Sequence, residues 1–181
     1  LALFAKKPTI ADPLPTYTPT PEPVKRPAGK GAAIGGVAGA ATIAAIVAFI
    51  GPWEGRRYTA YQDIVGVWTI CEGHTKGVKA GDVATDAQCD EMAAQDVAEH
   101  NAGIRACITR PMPQNVEIAF TSLAFNAGVG AFCGSTALKR YNAGDDTGAC
   151  DALNMWVRAG GKVVKGLVNR RAAESALCKK D

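Results

Sequence analysis

This 181-residue chain carries little net charge, +3 when Lys and Arg are set against Asp and Glu. No basic stretch is interleaved with aromatic residues, so nothing in it calls for nucleic acid. Its six cysteines include no C-x-x-C pair, which argues against zinc ribbons and thioredoxin chemistry. Metal, nucleotide and redox-cofactor motifs are missing too, and the expectation is that no cofactor is needed. Strong hydrophobes are scarce in the long uncharged run of residues 31–53. That run is mostly Ala and Gly, with Ile34, Val37, Ile43, Ile46, Val47, Phe49 and Ile50 as the exceptions. Gly and Ala contribute little transfer free energy, so such a run inserts into a bilayer only marginally.

What is present suits one domain with an appendage. A hydrophobic fraction of 48% is enough for a globular core. The charge excess is local: residues 1–53 carry five basic and two acidic groups, whereas residues 54–181 carry fifteen of each. Within the latter, residues 139–181 hold nine basic and five acidic groups. They form either a face for an anionic polymer or an ordinary solvated surface. Cys71, Cys89, Cys107, Cys133, Cys150 and Cys178 are even in number and well spread. They fit disulfides in an oxidising compartment such as the periplasm. Of about fifteen possible pairings, the sequentially local set is favoured: Cys71–Cys89, Cys107–Cys133 and Cys150–Cys178. The bland alternative is buried free thiols.

Residues 1–30 hold seven of the ten prolines. Proline fixes φ and removes a donor, so this segment is expected to be an extended or disordered spacer. Leu1, in place of Met, fits a fragment or a processed product. Lys25, Arg26 and Lys30 precede the run 31–53, which at about 1.5 Å per helical residue is long enough to cross a bilayer's apolar core. The positive-inside rule puts residues 1–30 in the cytoplasm and everything after the run outside. Gly31, Gly35 and Gly39 repeat at four-residue spacing and offer a smooth face for close helix contact. Four readings compete. A cleaved signal peptide is disfavoured by Gly51-Pro52-Trp53 as a processing site. A permanent anchor is normally more apolar. A helix packed on a soluble domain stays open. A weak signal-anchor able to leave the bilayer fits the composition best.

Residues 53–75 read WEGRRYTAYQDIVGVWTICEGHT. Glu54 stands at the exit of the apolar run, and Asp63 and Thr69 follow within a segment of strand formers. Two carboxylates near each other are ordinarily two solvated acids. Here the surrounding residues carry more information. Glu54-Gly55, Tyr58, Ala60-Tyr61, Asp63, Gly66-Val67-Trp68-Thr69-Ile70 and Gly73-His74-Thr75 resemble the phage-type, T4-lysozyme-like muramidases. The resemblance continues in order through Phe125-Asn126-Ala127-Gly128-Val129-Gly130, Asn142-Ala143-Gly144-Asp145 and Trp156-Val157-Arg158-Ala159-Gly160-Gly161. It closes on Gly166-Leu167-Val168-Asn169-Arg170-Arg171.

The resemblance implies an α+β, two-lobed fold, with a small antiparallel sheet lobe joined by a long helix to a helical C-terminal lobe. It implies hydrolysis of peptidoglycan glycan with Glu54, Asp63 and Thr69 in the catalytic positions, and inversion at the anomeric carbon. Asn126 and Arg171 are candidates for substrate or catalytic-acid contacts; the plainer readings are a helix C-cap and a buried ion pair. Run 31–53 resembles the signal-anchor-release segments of phage endolysins. The expected organisation is therefore a Pro-rich segment (1–30), a weak anchor (31–53) and a lysozyme domain (54–181). The protein is expected to be a monomer held at the bacterial inner membrane and then released to the periplasm. A lytic transglycosylase, or an inactive membrane-anchored wall-binding module, is the alternative; Asp63 and Thr69 argue against the first, and retention of all three polar residues against the second.

Local signals predict the elements. A short helical turn after Glu54 leads into the sheet, with Asp63 and Gly66 at turns. Thr85-Asp86-Ala87-Gln88 is a capping-box pattern opening a helix to about Ile108. A second helix covers 114–126 and stops at Gly128 and Gly130. Ser135 or Thr136 caps a short helix, Thr147 caps another running to Arg158, and the last helix spans 169–178. His74 is expected to be a structural histidine, and His100 a solvated one.

Overall fold

The computed structural model describes residues 38–63 and 65–180. The expectations for residues 1–30, and for the first part of run 31–53, lie outside the described residues. The chain divides into two compact units, residues 54–96 and residues 38–53 with 97–180.

Helix α1 (Ala40–Glu54) opens the described chain. Alanine, the best helix former, sets the backbone, and Ile43, Ile46, Val47 and Ile50 recur at the spacing that makes one helical stripe. Ile46 and Ile50 are buried in a cluster with Val97, Ile118 and Phe125, whereas Ala40, Ala41, Ala44, Ala48 and Gly51 are exposed. Among the described residues, no helix is long and apolar enough to cross a membrane. The expected helical turn after Glu54 is absent. The helix precedes Glu54 instead, and Gly55, at φ +70°, turns the chain into a strand, a conformation glycine adopts without a Cβ penalty.

In the unit 54–96, β1 (Arg57–Gln62) pairs antiparallel with β2 (Trp68–Cys71), with Tyr61 opposite Thr69 and an irregularity between Arg57 and Tyr61. Isolated bridges join Thr59 to Val83 and Ile70 to His74. Behind the strands lie Ile70, Cys71, Val78, Ala84, Cys89 and Met92, with Ala60 and Trp68 against them. The Cys71–Cys89 disulfide ties β2 to the long helix α2 (Asp86–Arg105). The capping box is formed: Thr85 N–H donates to Gln88 Oε1 at 2.8 Å and Gln88 N–H to Thr85 Oγ1 at 3.3 Å. The first half of α2 belongs to this unit and its second half to the other.

The other unit is built on α3 (Gln114–Ala127), whose buried residues Val116, Glu117, Ala119, Phe120, Thr121, Ser122, Leu123 and Ala124 lie on several faces. Phe120 packs edge-on to Tyr141, with ring centroids 5.3 Å apart, and against Phe132 at 5.1 Å. Gly128 ends α3 at φ +94°. A short helix α4 (Val129–Cys133) follows directly, so Gly130 does not act as a stop. Ser135 caps α5 (Thr136–Asn142), its Oγ accepting from Leu138 N–H at 3.1 Å.

The next expectation fails. Thr147 lies inside α6 (Asp146–Ala152); its cap is Asp145, which accepts from Gly148 N–H at 2.8 Å and is the more strongly accepting side chain for a helix N-terminus. The helix stops at Ala152, passes through a 3₁₀ turn (Leu153–Met155), and gives way to a hairpin of β3 (Arg158–Ala159) and β4 (Lys162–Val163). Gly160 and Gly161, both at positive φ, supply the tight two-residue turn a hairpin needs. The flanking Val157, Val163 and Val164 favour strand over helix. The last helix, α7 (Lys165–Cys178), starts four residues earlier than expected. Disulfides Cys107–Cys133 and Cys150–Cys178 close this unit, so the sequentially local pairing is the one present.

Candidate functional site

Glu54 is the last residue of α1 and is half-buried. Asp63 follows β1 at the head of the turn into β2. Its Oδ1 accepts from the backbone N–H groups of Val65 and Val67, each at 2.9 Å, and the Asp63 N–H donates to the Val67 carbonyl at 2.9 Å. This is the local side-chain-to-backbone bonding that makes Asp a turn residue. It fixes the carboxylate and leaves Oδ2 as the oxygen not engaged by these bonds. Thr69, on β2 opposite Tyr61, is 4% exposed and donates from Oγ1 to the Val67 carbonyl at 3.0 Å. Its lone pairs remain to accept. Both side chains are thus held by the same residue, Val67, and belong to the same hairpin.

Charged groups that the sequence reading did not single out surround the start of β1. The Arg56 guanidinium donates to Glu72 Oε1 (2.5 Å), Asp86 Oδ1 (2.8 Å) and Asp90 Oδ1 (2.6 Å), and the Tyr58 hydroxyl donates to Asp86 at 2.7 Å. The Tyr58 bond and then Arg56 hold the Asp86 carboxyl below its usual range. Asp86 and Asp90, four apart on α2, share a helix face. That signal was available in the sequence, whereas their partner, 30 residues from Asp86 and 34 from Asp90, was not.

His74 is buried. Its Nδ1 faces Asp96 Oδ2 at 2.8 Å and its Nε2 faces the Lys76 carbonyl at 3.1 Å. Two acceptors suit the doubly protonated ring, and the Asp96 bond raises its pKa above the ordinary value. The structural reading of His74 holds. His100 differs from expectation: it is half-buried, with its ring 5.0 Å from that of Phe125. An amphipathic ring covers apolar surface while its nitrogens reach polar groups.

In the other unit, Asn126 lies in the last turn of α3, two residues before the Gly128 cap. Its Oδ1 accepts from Arg171 Nη2. Arg171 is 1% exposed and also donates to Glu174 Oε2 (2.5 Å) and the Trp156 carbonyl (3.1 Å). Arg170 Nε reaches Glu174 Oε1 at 3.1 Å, and Ser122 Oγ donates to the same oxygen at 2.6 Å. Arg171 is therefore bonded to Asn126 within a buried network centred on Glu174. The i+3 and i+4 spacing of Glu174 from the two arginines was legible in the sequence.

The family model described as phage lysozyme matches residues 51–174. The chain is similar to the SAR-endolysin of Pseudomonas phage phiKMV, 47% identical over 130 residues, which are 69% of this chain and 80% of that one. It is also similar to the SAR-endolysin of Enterobacteria phage P21, 44% identical over 126 residues, or 69% of this chain and 76% of the relative. Among solved structures, the muramidase domain of SpmX from Asticaccaulis excentricus superposes with a TM-score of 0.71 at 32% identity, covering 76% of this chain and 96% of that one. With these matches over most of its length, the chain belongs to the phage lysozyme family.

Proposed function

We propose that this phage lysozyme cleaves the β-1,4 bond between N-acetylmuramic acid and N-acetylglucosamine of peptidoglycan, with Glu54 as general acid and Asp63 and Thr69 holding the attacking water. Family membership makes it a muramidase, a glycoside hydrolase, and its relatives are endolysins, which places its action in host-cell lysis. The observation that carries the residue assignment is the hairpin geometry. Asp63 Oδ1 is tied down by two backbone N–H groups, and the Thr69 proton is spent on the Val67 carbonyl. A water donating one hydrogen to Thr69 Oγ1 and the other to Asp63 Oδ2 keeps a lone pair for the anomeric carbon, and as the new C–O bond forms its proton passes to Asp63 Oδ2. Glu54 protonates the leaving oxygen. The outcome is inversion, with a carboxyl separation of about 6.5–9.5 Å. Asn126, its Oδ1 held by Arg171, presents its amide N–H groups as a candidate sugar contact.

The same reading extends to run 31–53. In the membrane-tethered state the Ile43–Ile46–Val47–Ile50 stripe lies in lipid and Glu54 is held at the bilayer surface. After release the stripe is buried instead against Val97, Ile118 and Phe125. Its Ala and Gly face is mild enough to stand in water. The enzyme begins at the inner membrane, N-terminus in the cytoplasm and catalytic part in the periplasm, and works as a released periplasmic monomer. The test is clearing of outer-membrane-permeabilised Gram-negative cells by the full chain and by Glu54→Gln, with analysis of the sugar ends. Reducing ends with inverted configuration, absent from the variant, are expected. Anhydro ends, or undiminished clearing by the variant, would refute the assignment.

A further inference from the structure

We propose that Arg56 is a positioning residue for the reaction: it sets the carboxyl of Glu54 by clamping the chain immediately after it onto three carboxylates. This rests on Glu54 being the general acid. Only Gly55 separates the two residues. Gly55 is exposed, with nothing within 4 Å of where a Cβ would stand. Arg56 is the first residue after Glu54 that carries a side chain to anchor the chain. The Arg56 guanidinium is engaged along its fork by Glu72 just past the end of β2, by Asp86 at the first position of α2, and by Asp90 one turn later. A planar guanidinium bonded in three directions has its position and its plane both fixed. Tyr58, the next residue but one, is held on the same Asp86 oxygen.

The arrangement has a covalent counterpart. Cys71–Cys89 joins β2 to α2 one residue before Glu72 and one residue before Asp90. The disulfide already holds β2 against α2. What Arg56 adds is the attachment of the chain leaving Glu54 to that joined pair. Loss of Arg56 is therefore expected to loosen Glu54 while leaving the unit folded, and a misplacement of about 1 Å in a catalytic group can cost on the order of 10²-fold in rate.

A simpler role is available and must be separated. Glu72 is a largely buried carboxylate, and its Oε2 has no hydrogen-bond partner among the described residues. Arg56 could serve only as its counter-charge. In that case removing both charges together repairs everything.

The experiment uses the full chain, with kcat and KM on soluble glycan fragments of peptidoglycan and the melting temperature of each protein. The variants are Arg56→Met, Arg56→Lys, Arg56→Met with Glu72→Gln, and Glu54→Gln. Arg56→Met is expected to lower kcat at least about tenfold with KM within about twofold. Arg56→Lys, whose compact ammonium meets fewer of the three carboxylates, should recover part of kcat. The double variant should regain melting temperature but not kcat, and it carries the test if Arg56→Met does not fold. Recovery of kcat together with melting temperature in the double variant would reduce Arg56 to charge compensation and overturn the proposal. So would an Arg56→Met enzyme with wild-type kcat beside an inactive Glu54→Gln. An active Glu54→Gln would overturn the general-acid assignment, and the role of Arg56 with it.

Discussion

Replacing Ile46 by alanine probes how firmly α1 is docked in the released enzyme. Ile46 has no exposed surface, and it packs with Ile50 and Val97, which are 3% and 1% exposed. The substitution deletes three carbon groups. At about 0.8 kcal/mol per buried carbon the transfer term is roughly 2.4 kcal/mol, and the cavity left behind brings the total to roughly 2–5 kcal/mol. Against a typical stability of about 5–15 kcal/mol the loss is large but survivable. With a urea m-value of about 2 kcal/mol/M, a 3 kcal/mol loss moves the midpoint down by about 1.5 M. The assay is equilibrium urea unfolding of the purified full chain with disulfides oxidised, followed by tryptophan fluorescence. Trp53, Trp68 and Trp156 report from both units. Ala44→Ser, on the exposed face of the same helix, is the control and should stay within about 0.5 kcal/mol. An Ile46→Ala midpoint equal to that of the control would refute the reasoning, because α1 would then contribute no burial to the folded enzyme.

Two other outcomes follow from the polar contacts. The raised pKa of His74, caused chiefly by Asp96, means that the folded state binds its proton more tightly than the unfolded chain. That stabilisation is fully present below the unfolded value of about 6.5 and is lost as pH rises through the higher folded value. Melting temperatures of wild type and Asp96→Asn should differ most near pH 5–6 and converge at alkaline pH; a gap that widens with pH would contradict this. Glu174 has no exposed surface and neutralises both Arg170 and Arg171. Glu174→Ala leaves two buried guanidinium groups without that partner and should cost roughly 3–5 kcal/mol. Thermal unfolding should show a fall of about 10 °C, and a loss below about 1 kcal/mol would mean that the network is not under tension from burial.

Features encoded by neighbouring residues were readable in advance. The capping box at Thr85, the glycine stop at Gly128, the Ser135 cap and the turn at Asp63 each depend on bonds spanning a few residues. The three disulfides follow the nearest-neighbour order of the cysteines, the pairing with the shortest loops to close. Reading went wrong where two local signals compete. Thr147 and Asp145 both suit an N-cap, and the stretch around Gly160-Gly161 can break a helix or turn a hairpin. Burial and pairing across the chain made the choice. His100 was misread because the partner covering it, Phe125, is distant in sequence.

The sequence by itself determined the family, the first sheet with the long helix after it, and the three polar residues proposed for the chemistry, because Glu54, Asp63 and Thr69 lie within one short stretch whose turn and strand signals are local. The tertiary structure alone decided what surrounds them. It selected four carboxylate partners (Glu72, Asp86 and Asp90 for Arg56, and Asp96 for His74), bonded Arg171 to Asn126, and buried the isoleucines of α1 against a helix more than 60 residues away. Those choices depend on which charged and apolar surfaces meet when the chain closes long loops, and no pattern confined to a few neighbouring residues specifies that meeting.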